Sequence, residues 1–337
     1  MSGLVRTGSG NAVEQLSLSL DSARQGLPTS PDIELEHVAA AIRALDPDGS
    51  RFATVLRNTI DQLLDGENTG RYDWKDLMKT EKTHAGTLVE INLQRAFKFG
   101  DGIDMDYSIA GIDVDAKYSQ KFGGWMIPPE AKNHLCLLVW ADDYKSIWSA
   151  GLIRIGESIL NTGGNRDSKA TIRADARKRI TWLWHNCELP ENVLLHIDPL
   201  TRSRIFLPAD GQQRVNELFR SVHGRRVGRG VVRTVARQSD YMARVREGKG
   251  RARTVLRDEG IIILGGFRAH QKLALDLGGP VPRPGEFVAH PVMRARPEHK
   301  NRPRAEIAGE LWVVAEPGET RDKPAPVVQN PQRTHKT

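Results

Sequence analysis

The sequence predicts an α/β front unit, a mixed sheet with flanking helices, followed by a second, mainly helical unit of the winged helix-turn-helix DNA-binding type. Three observations predict it. Residues 134–140, HLCLLVW, form a nearly continuous apolar run, as a central strand covered on both faces requires. Residues 112–119, IDVDAKYS, alternate polar and apolar side chains with the period of a half-buried strand. Residues 220–257 break into short basic helices ahead of the strand IIILGG, the pattern of a winged helix-turn-helix. With 337 residues, the chain has room for two cores.

In chain order, residues 1–31 are polar and read as a flexible leader. The front domain spans 32–190. Ile33, Val38, Ile42 and Leu45 share a helical face behind a capping Asp32, and the DPDG turn stops that helix. A second helix runs over 50–64 with Ser50 as its cap and Phe52, Leu56, Ile60 and Leu63 inward. After the loop GENTGRYDW, whose Tyr72 and Trp74 read as packing residues, Leu77 and Met78 begin the approach to a catalytic strand. AGLIRI at 150–155 is a further strand. The loop NTGGNRDSK comes next, and Ser168 is placed to cap a helix over 170–185 that carries Arg173, Arg177, Lys178 and Arg179 outward. Arg166 and Arg173 make this the front domain's best DNA-contacting segment.

The boundary falls at HNCELPEN, residues 185–192, and the rear domain runs over 191–318. VLLHI reads as a strand at the edge of either domain, and Pro199 and Pro208 interrupt the chain beyond it. A helix from Asp210 to about 222 precedes VVRTVAR, QSDYMARVREG with Ser239 or Asp240 as cap, and RARTVLRDEG. FRAHQKLALDLGG is one more helix, and GEFVAHPVM and AGELWVVAE are strands. Residues 319–337 read as a flexible tail.

Charge is distributed unevenly. The formal net charge is +7, yet residues 1–100 hold 11 Lys/Arg against 14 Asp/Glu, while residues 201–300 hold 21 against 9. A basic rear half suits a polyanion. Its patterned helices favour duplex DNA over duplex RNA, whose deep narrow groove resists a helix. Arg237, Arg244, Arg246, Arg251 and Arg253 are the expected contacts. Two cysteines, Cys136 and Cys187, offer neither a disulfide framework nor a zinc pattern. No signal-peptide pattern opens the chain and no apolar run approaches the roughly 20 residues that cross a bilayer, so the expectation is a cytoplasmic protein with no membrane partner.

Residues 86–121 carry the chemistry. The strand period puts Asp113, Asp115, Lys117 and Ser119 on one face, and the short strand and turn DMDYSIAG returns antiparallel to bring Asp106 beside Asp115. Glu90, at the end of the apolar run TLVE, is the natural fourth member. Three converging carboxylates repel one another unless a cation sits among them, and hard oxygen donors suit Mg2+ or Mn2+. A lysine in such a site orients a water or faces phosphoryl charge. Tyr107 and Tyr118 alternate away from this face, which disfavours a covalent strand-rejoining route.

These residues, Glu90 in GTLVEINLQR, Asp106 in GIDMDYS, and Asp115 with Lys117 in IDVDAKYS, together with the basic helix-turn-helix region, resemble the NaeI-type restriction endonucleases over roughly residues 32–317. The resemblance implies a restriction-endonuclease-like core in the front domain and an effector role for the rear one. It implies Mg2+-dependent cleavage of duplex DNA by a homodimer that binds two copies of a palindromic site, GCCGGC cut to blunt ends, with a cognate methyltransferase in the cell. Its catalytic positions match Glu90, Asp106, Asp115 and Lys117. Mg2+ is then expected on Asp106, Asp115 and the Ala116 carbonyl, with Glu90 supporting a second ion or a metal-bound water. The competing readings are a DNA-binding regulator with an unused nuclease-like domain, a repair nicking endonuclease, and an RNA nuclease.

Overall fold

The computed structural model of the chain describes residues 31–163 and 167–328. Residues 1–30, 164–166 and 329–337 lie outside them, and with them most of the expected leader and half of the expected tail. Helix α1 (Ile33–Leu45) starts where Asp32 accepts the Leu35 amide at 3.1 Å, and it buries Leu35, Val38, Ala39 and Ile42. Helix α2 (Ser50–Leu64) buries Phe52, Leu56, Ile60 and Leu63 and stacks Phe52 on Trp148 with ring centroids 5.1 Å apart. Ser50 does not cap it. Gly49 holds the cap position at φ 74°, where a Cβ would meet the Trp184 indole at 2.9 Å. The Asp46 carboxylate takes the free amides of Arg51 and Phe52 instead.

A short helix α3 (Gly66–Thr69) leads to the long helix α4 (Lys79–Phe97). Glu81 reaches back to the Met78 amide at 2.7 Å to start α4, and Ala85, Val89, Leu93 and Phe97 repeat every four residues as its buried stripe. The run TLVE is therefore helical, and Leu77 and Met78 lead into α4 rather than into a strand. Glu90 lies on the shoulder of the stripe.

The first sheet has six strands in sequence order: β1 (Gly100–Asp101), β2 (Tyr107–Ile109), β3 (Ile112–Ser119), β4 (Leu135–Asp142), β5 (Ile147–Arg154) and β6 (Thr181–Glu188). Every pairing is antiparallel except β3 with β4, which makes the sheet mixed. A parallel pair needs a crossover, and residues 120–134 supply it. That crossover is pinned by Trp125, whose indole N–H donates to the Val139 carbonyl at 2.7 Å. Strand β4 is buried from Leu135 to Ala141, as its apolar run requires. One sheet face carries Val114, Ala116, Leu137 and Val139 against α1, α2 and α4; the other gathers Cys136, Leu138, Trp140 and Ile153 with Trp125.

The helix expected over 170–185 is absent. Residues 175–179 make one 3-10 turn, and Thr181–Glu188 is edge strand β6. Ser168 is at φ 56° and caps nothing. A register irregularity between Ala150 and Gly151 lets the consecutive Leu183 and Trp184 both enter the core under the helices, while Ile180, before the strand, packs on the opposite face of the sheet with Ile153, so a bulged strand buries residues at helical spacing on two faces.

The apolar cores divide near residue 190, with Leu189 in one and Val193 in the next. Beyond that point VLLH is helix α5 (Val193–His196), not a strand. Pro199 opens helix α6 (Pro199–Phe206) as its first residue behind the Asp198 cap, where a missing amide costs nothing. Helices α7 (Gly211–Ser221), α8 (Arg229–Ala236), α9 (Tyr241–Val245) and α10 (Ala252–Arg257) come next, with α11 (Arg268–Asp276) after strand β8 (Ile261–Gly265). Asp210 and Asp240 cap α7 and α9.

This half is also richer in strands than its sequence suggests. An antiparallel sheet orders β10 (Ala305–Ile307), β11 (Glu310–Val314), β9 (Glu286–Arg294) and β7 (Val227–Gly228), with β8 also on β9. Residues 319–328, expected as loose tail, lie against it: the Ala325 amide donates to the Arg257 carbonyl at 2.8 Å, Asp322 accepts the Arg294 amide at 2.6 Å, and Ala325 is buried.

The two halves meet where α3 lies on α8. A Cβ at Gly66 would fall 1.9 Å from the Thr234 hydroxyl, and one at Gly230 would fall 1.9 Å from Asp61, so only glycine permits this approach. Tyr72 stacks on Phe206 and Trp74 packs on the front core, as their reading as packing residues expects.

Candidate active site

The β2–β3 hairpin pairs Tyr107 with Val114, which places Asp106 opposite Asp115. The Ala116 amide donates to Asp106 Oδ2 at 2.7 Å and fixes that carboxylate against β3. Lys117 Nζ then sits among three oxygens: Asp115 Oδ1 at 2.5 Å, the Ala116 carbonyl at 2.9 Å and Asp106 Oδ2 at 3.5 Å. Asp113, one pleat earlier, accepts the amides of Ile103 and Asp104 and so ties down the loop that delivers Asp106. Asp104 takes part through its backbone amide in that same turn.

Glu90 arrives from α4. The Tyr107 hydroxyl donates to its carbonyl at 2.8 Å and locks helix to hairpin. Burial first, then Asp106, push the Glu90 carboxyl above its ordinary range, with Lys117 opposing. Asp115 is also pushed up, chiefly by burial, against the pull of Lys117. Burial works to lower the Lys117 ammonium, but Asp115 and Asp106 outweigh it and hold it charged. Tyr107, raised by burial and by the nearby Glu90, Asp106 and Asp115, has its hydroxyl committed to the Glu90 carbonyl, and Tyr118, raised by burial, neighbours Asp143 and Arg57 instead, so neither is poised as a nucleophile.

Three carboxylates against one ammonium leave the cluster short of positive charge. The oxygens around Lys117 Nζ already enclose a cation, and all are hard donors suited to a divalent metal. Among the described residues no three His, Cys, Asp or Glu side chains are drawn together closely enough to hold a metal ion, this cluster included, where Lys117 Nζ stands between Asp106 and Asp115. One neighbour was not legible in sequence. Cys136, paired with Asp115 across β3 and β4, places its Sγ 3.4 Å from Asp115 Oδ2. Only the parallel register reveals it.

The expected DNA contacts separate into three kinds. Arg166 lies outside the described residues. Arg173 is exposed and paired with Asp175 at 2.7 Å, on the loop before β6 rather than on a helix. Arg237 is exposed at the left-handed end of α8; Arg244 on α9 donates to Gln238 at 2.6 Å, and Arg246 is exposed with Asp240 at 3.6 Å. Arg251 stands half-buried at the start of α10. Arg253 does not belong with them. It is buried, and its Nε donates to the Ile263 carbonyl at 3.1 Å, so it joins α10 to β8.

Comparison with known proteins gives the family. The family described as "Restriction endonuclease NaeI" matches residues 36–322. The "Type II restriction enzyme NaeI" of Lentzea aerocolonigenes is 51% identical over 308 residues, covering 89% of this chain and 94% of that protein. No described helix is long and apolar enough to cross a membrane. A match of that extent, over a mixed α/β core carrying a carboxylate and lysine cluster, establishes that the chain belongs to the NaeI restriction endonuclease family.

Proposed function

We infer that the chain is a type II restriction endonuclease, a site-specific enzyme that cleaves duplex DNA at a recognition sequence. The observation that carries the chemistry is the enclosure of Lys117 Nζ by Asp115, Ala116 and Asp106 oxygens, with Glu90 close by. A DNA-binding regulator has no use for such a set.

The donor set fits Mg2+. Asp106, Asp115 and the Ala116 carbonyl would hold it, with Glu90 in support, and Mg2+ bound there supplies Lewis-acid stabilisation of phosphate charge and a more acidic water. The protein's own residues do the rest. Asp106 is oriented by the Ala116 amide and Asp115 by its place on a buried strand, so both present fixed oxygens. Lys117 carries a held positive charge that faces the negative charge developing on the phosphoryl oxygens and orients the attacking water. Glu90, half-buried beside Asp106, is placed to support that water.

The front domain, residues 32–190, is on this reading the endonuclease, and residues 191–318 form a winged helix-turn-helix effector domain. Helices α8 and α9, joined by the short turn 237–240, support that assignment, as does the antiparallel pair of β8 and β9, connected through α11, in the place of a wing. Arg237, Arg244, Arg246 and Arg251 cluster around the turn and the start of α10. A palindromic site is read by a symmetric dimer, so the active form is a homodimer that engages two copies of the site, GCCGGC on the family pattern. The protein would work in the cytoplasm, beside a methyltransferase that protects the host's own sites.

The test is cleavage of a supercoiled plasmid carrying two GCCGGC sites, with Mg2+, with EDTA, and with Lys117→Ala. Discrete double-strand breaks, lost in both controls, are expected. Nicks alone would favour a repair endonuclease, and tight duplex binding without breaks would favour a regulator. In the same assay Arg244→Ala with Arg246→Ala is expected to remove the dependence on a second site while leaving metal binding intact.

A further inference from the structure

Asp115 is almost wholly buried, at 4% exposure, so solvent does not complete its hydrogen bonding. Lys117 takes Oδ1 at 2.5 Å. The other oxygen faces β4, where the parallel register sets Cys136 directly opposite, itself fully buried, with Sγ 3.4 Å from Oδ2. Around Cys136 this face of the sheet is otherwise hydrocarbon and indole: Leu138, Trp140 and Ile153 share its cluster. An aliphatic residue would suit that environment equally well and would leave a buried carboxylate oxygen with no donor, the arrangement folded proteins avoid. A thiol satisfies both demands, since it packs as a small apolar group and donates one weak hydrogen bond.

We propose that Cys136 is a positioning residue for DNA cleavage: its S–H donates to Asp115 Oδ2 and fixes the rotation of the carboxylate, so that Oδ1 faces the Ala116 carbonyl and Asp106. The inference rests on the reading of that cluster as the cleavage centre. Because the thiol is a weak donor, it holds one oxygen while leaving the carboxylate's charge available on the other. Partners of this kind behind a metal-binding carboxylate typically tune affinity or turnover by about 10- to 100-fold.

The experiment compares Cys136→Ser, which keeps a donor, with Cys136→Val and the smaller Cys136→Ala, which remove it. In the full-length protein, Mn2+ binding is read from the electron paramagnetic resonance of free Mn2+, alongside kcat and KM on a duplex carrying the site, and the melting temperature of each variant. Cys136→Val and Cys136→Ala are expected to weaken Mn2+ binding and lower kcat by about tenfold each with KM for DNA unchanged. Cys136→Ser is expected to restore both to within about threefold, whatever its melting temperature. Equal losses in the serine and alanine variants, or wild-type Mn2+ binding and kcat in the alanine variant, would overturn the positioning role. If wild-type protein shows no Mn2+ binding that Asp115→Asn removes, and no cleavage, the cleavage-centre reading fails and takes this proposal with it.

Discussion

Two ionic clusters lie in the front half of the molecule, and they differ in how their charges balance. At the active cluster, Glu90, Asp106 and Asp115 face the single ammonium of Lys117. At the junction with α8, Arg57 bridges two aspartates, Asp61 at 2.8 Å and the buried Asp143 through both of its terminal nitrogens, while Arg229 from the second half adds further positive charge beside Asp61. The junction is close to neutral and its carboxylates have fixed partners. The active cluster carries surplus negative charge in a place where burial makes that costly. A balanced cluster is complete as folded and suits a joint; an unbalanced one, on the function proposed above, takes a further cation and serves as a site.

The sharpest way to break that contrast is to remove one charge from each cluster. Asp115→Asn and Lys117→Ala are expected to lower the cleavage rate by about 1000-fold or more, the scale of losing a principal group that stabilises transition-state charge. In metal-free buffer Lys117→Ala should also lower the urea-unfolding midpoint, because it leaves the buried Asp115 without its cation, whereas Asp115→Asn, which removes a surplus charge, should hold the midpoint at or above that of the parent. Arg57→Ala should do the reverse. It strands Asp143 in the core without its cation, a change that typically costs about 3–5 kcal/mol, and unfolding in urea measures it. Cleavage per folded molecule should survive. If Arg57→Ala melts like the parent, or abolishes cleavage while fully folded, the junction is not the passive joint described.

The same contrast shows what the sequence could and could not convey. Asp106, Asp115 and Lys117 were legible because strand alternation and a short hairpin are local rules, and the hairpin register delivers them as expected. Glu90 was legible by type but not by setting, since TLVE suits a strand or a helix and the i,i+4 stripe of Ala85, Val89, Leu93 and Phe97 decides for the helix. The junction pair Arg57 and Asp143 lies 86 residues apart and has no local signature. Cys136 likewise depends on which strand lies beside β3. Arg253 reads as a DNA contact when arginines are counted by segment, whereas the fold sends it inward to the Ile263 carbonyl. The helix expected over 170–185 fails for the same reason, because the bulge that buries Leu183 beside Trp184 arises only when β6 pairs with β5.

Smaller effects sharpen the comparison. Mg2+ at about ten times its dissociation constant should stabilise the parent by about 1.4 kcal/mol through mass action. The rise in melting temperature should vanish in Asp106→Asn and persist in Arg57→Ala. A rise that survives Asp106→Asn would place the cation elsewhere.

The smallest effect concerns pH. Burial and Asp106 raise the proton affinity of Glu90 in the folded protein, so between the ordinary glutamate pKa and the raised value the folded state binds more protons than the unfolded chain. Its contribution to metal-free stability therefore falls as pH rises through that window, and above it the full penalty of the charged group is present. Below the ordinary pKa the penalty is gone. Glu90→Gln removes the charge, so at pH 7 without metal it should melt about 1 °C higher than the parent, a small shift because Glu90 is only half-buried. The gain should shrink to nothing as the pH drops to about 4, where the parent's Glu90 is protonated as well. Saturating Mg2+ should reverse the order at pH 7, because the charge that burdens the empty cluster then faces a cation. Melting curves of both proteins at pH 4 and 7, with and without Mg2+, measure all of this; an advantage for Glu90→Gln that is independent of pH would show that its stability comes from packing and not from the surplus charge.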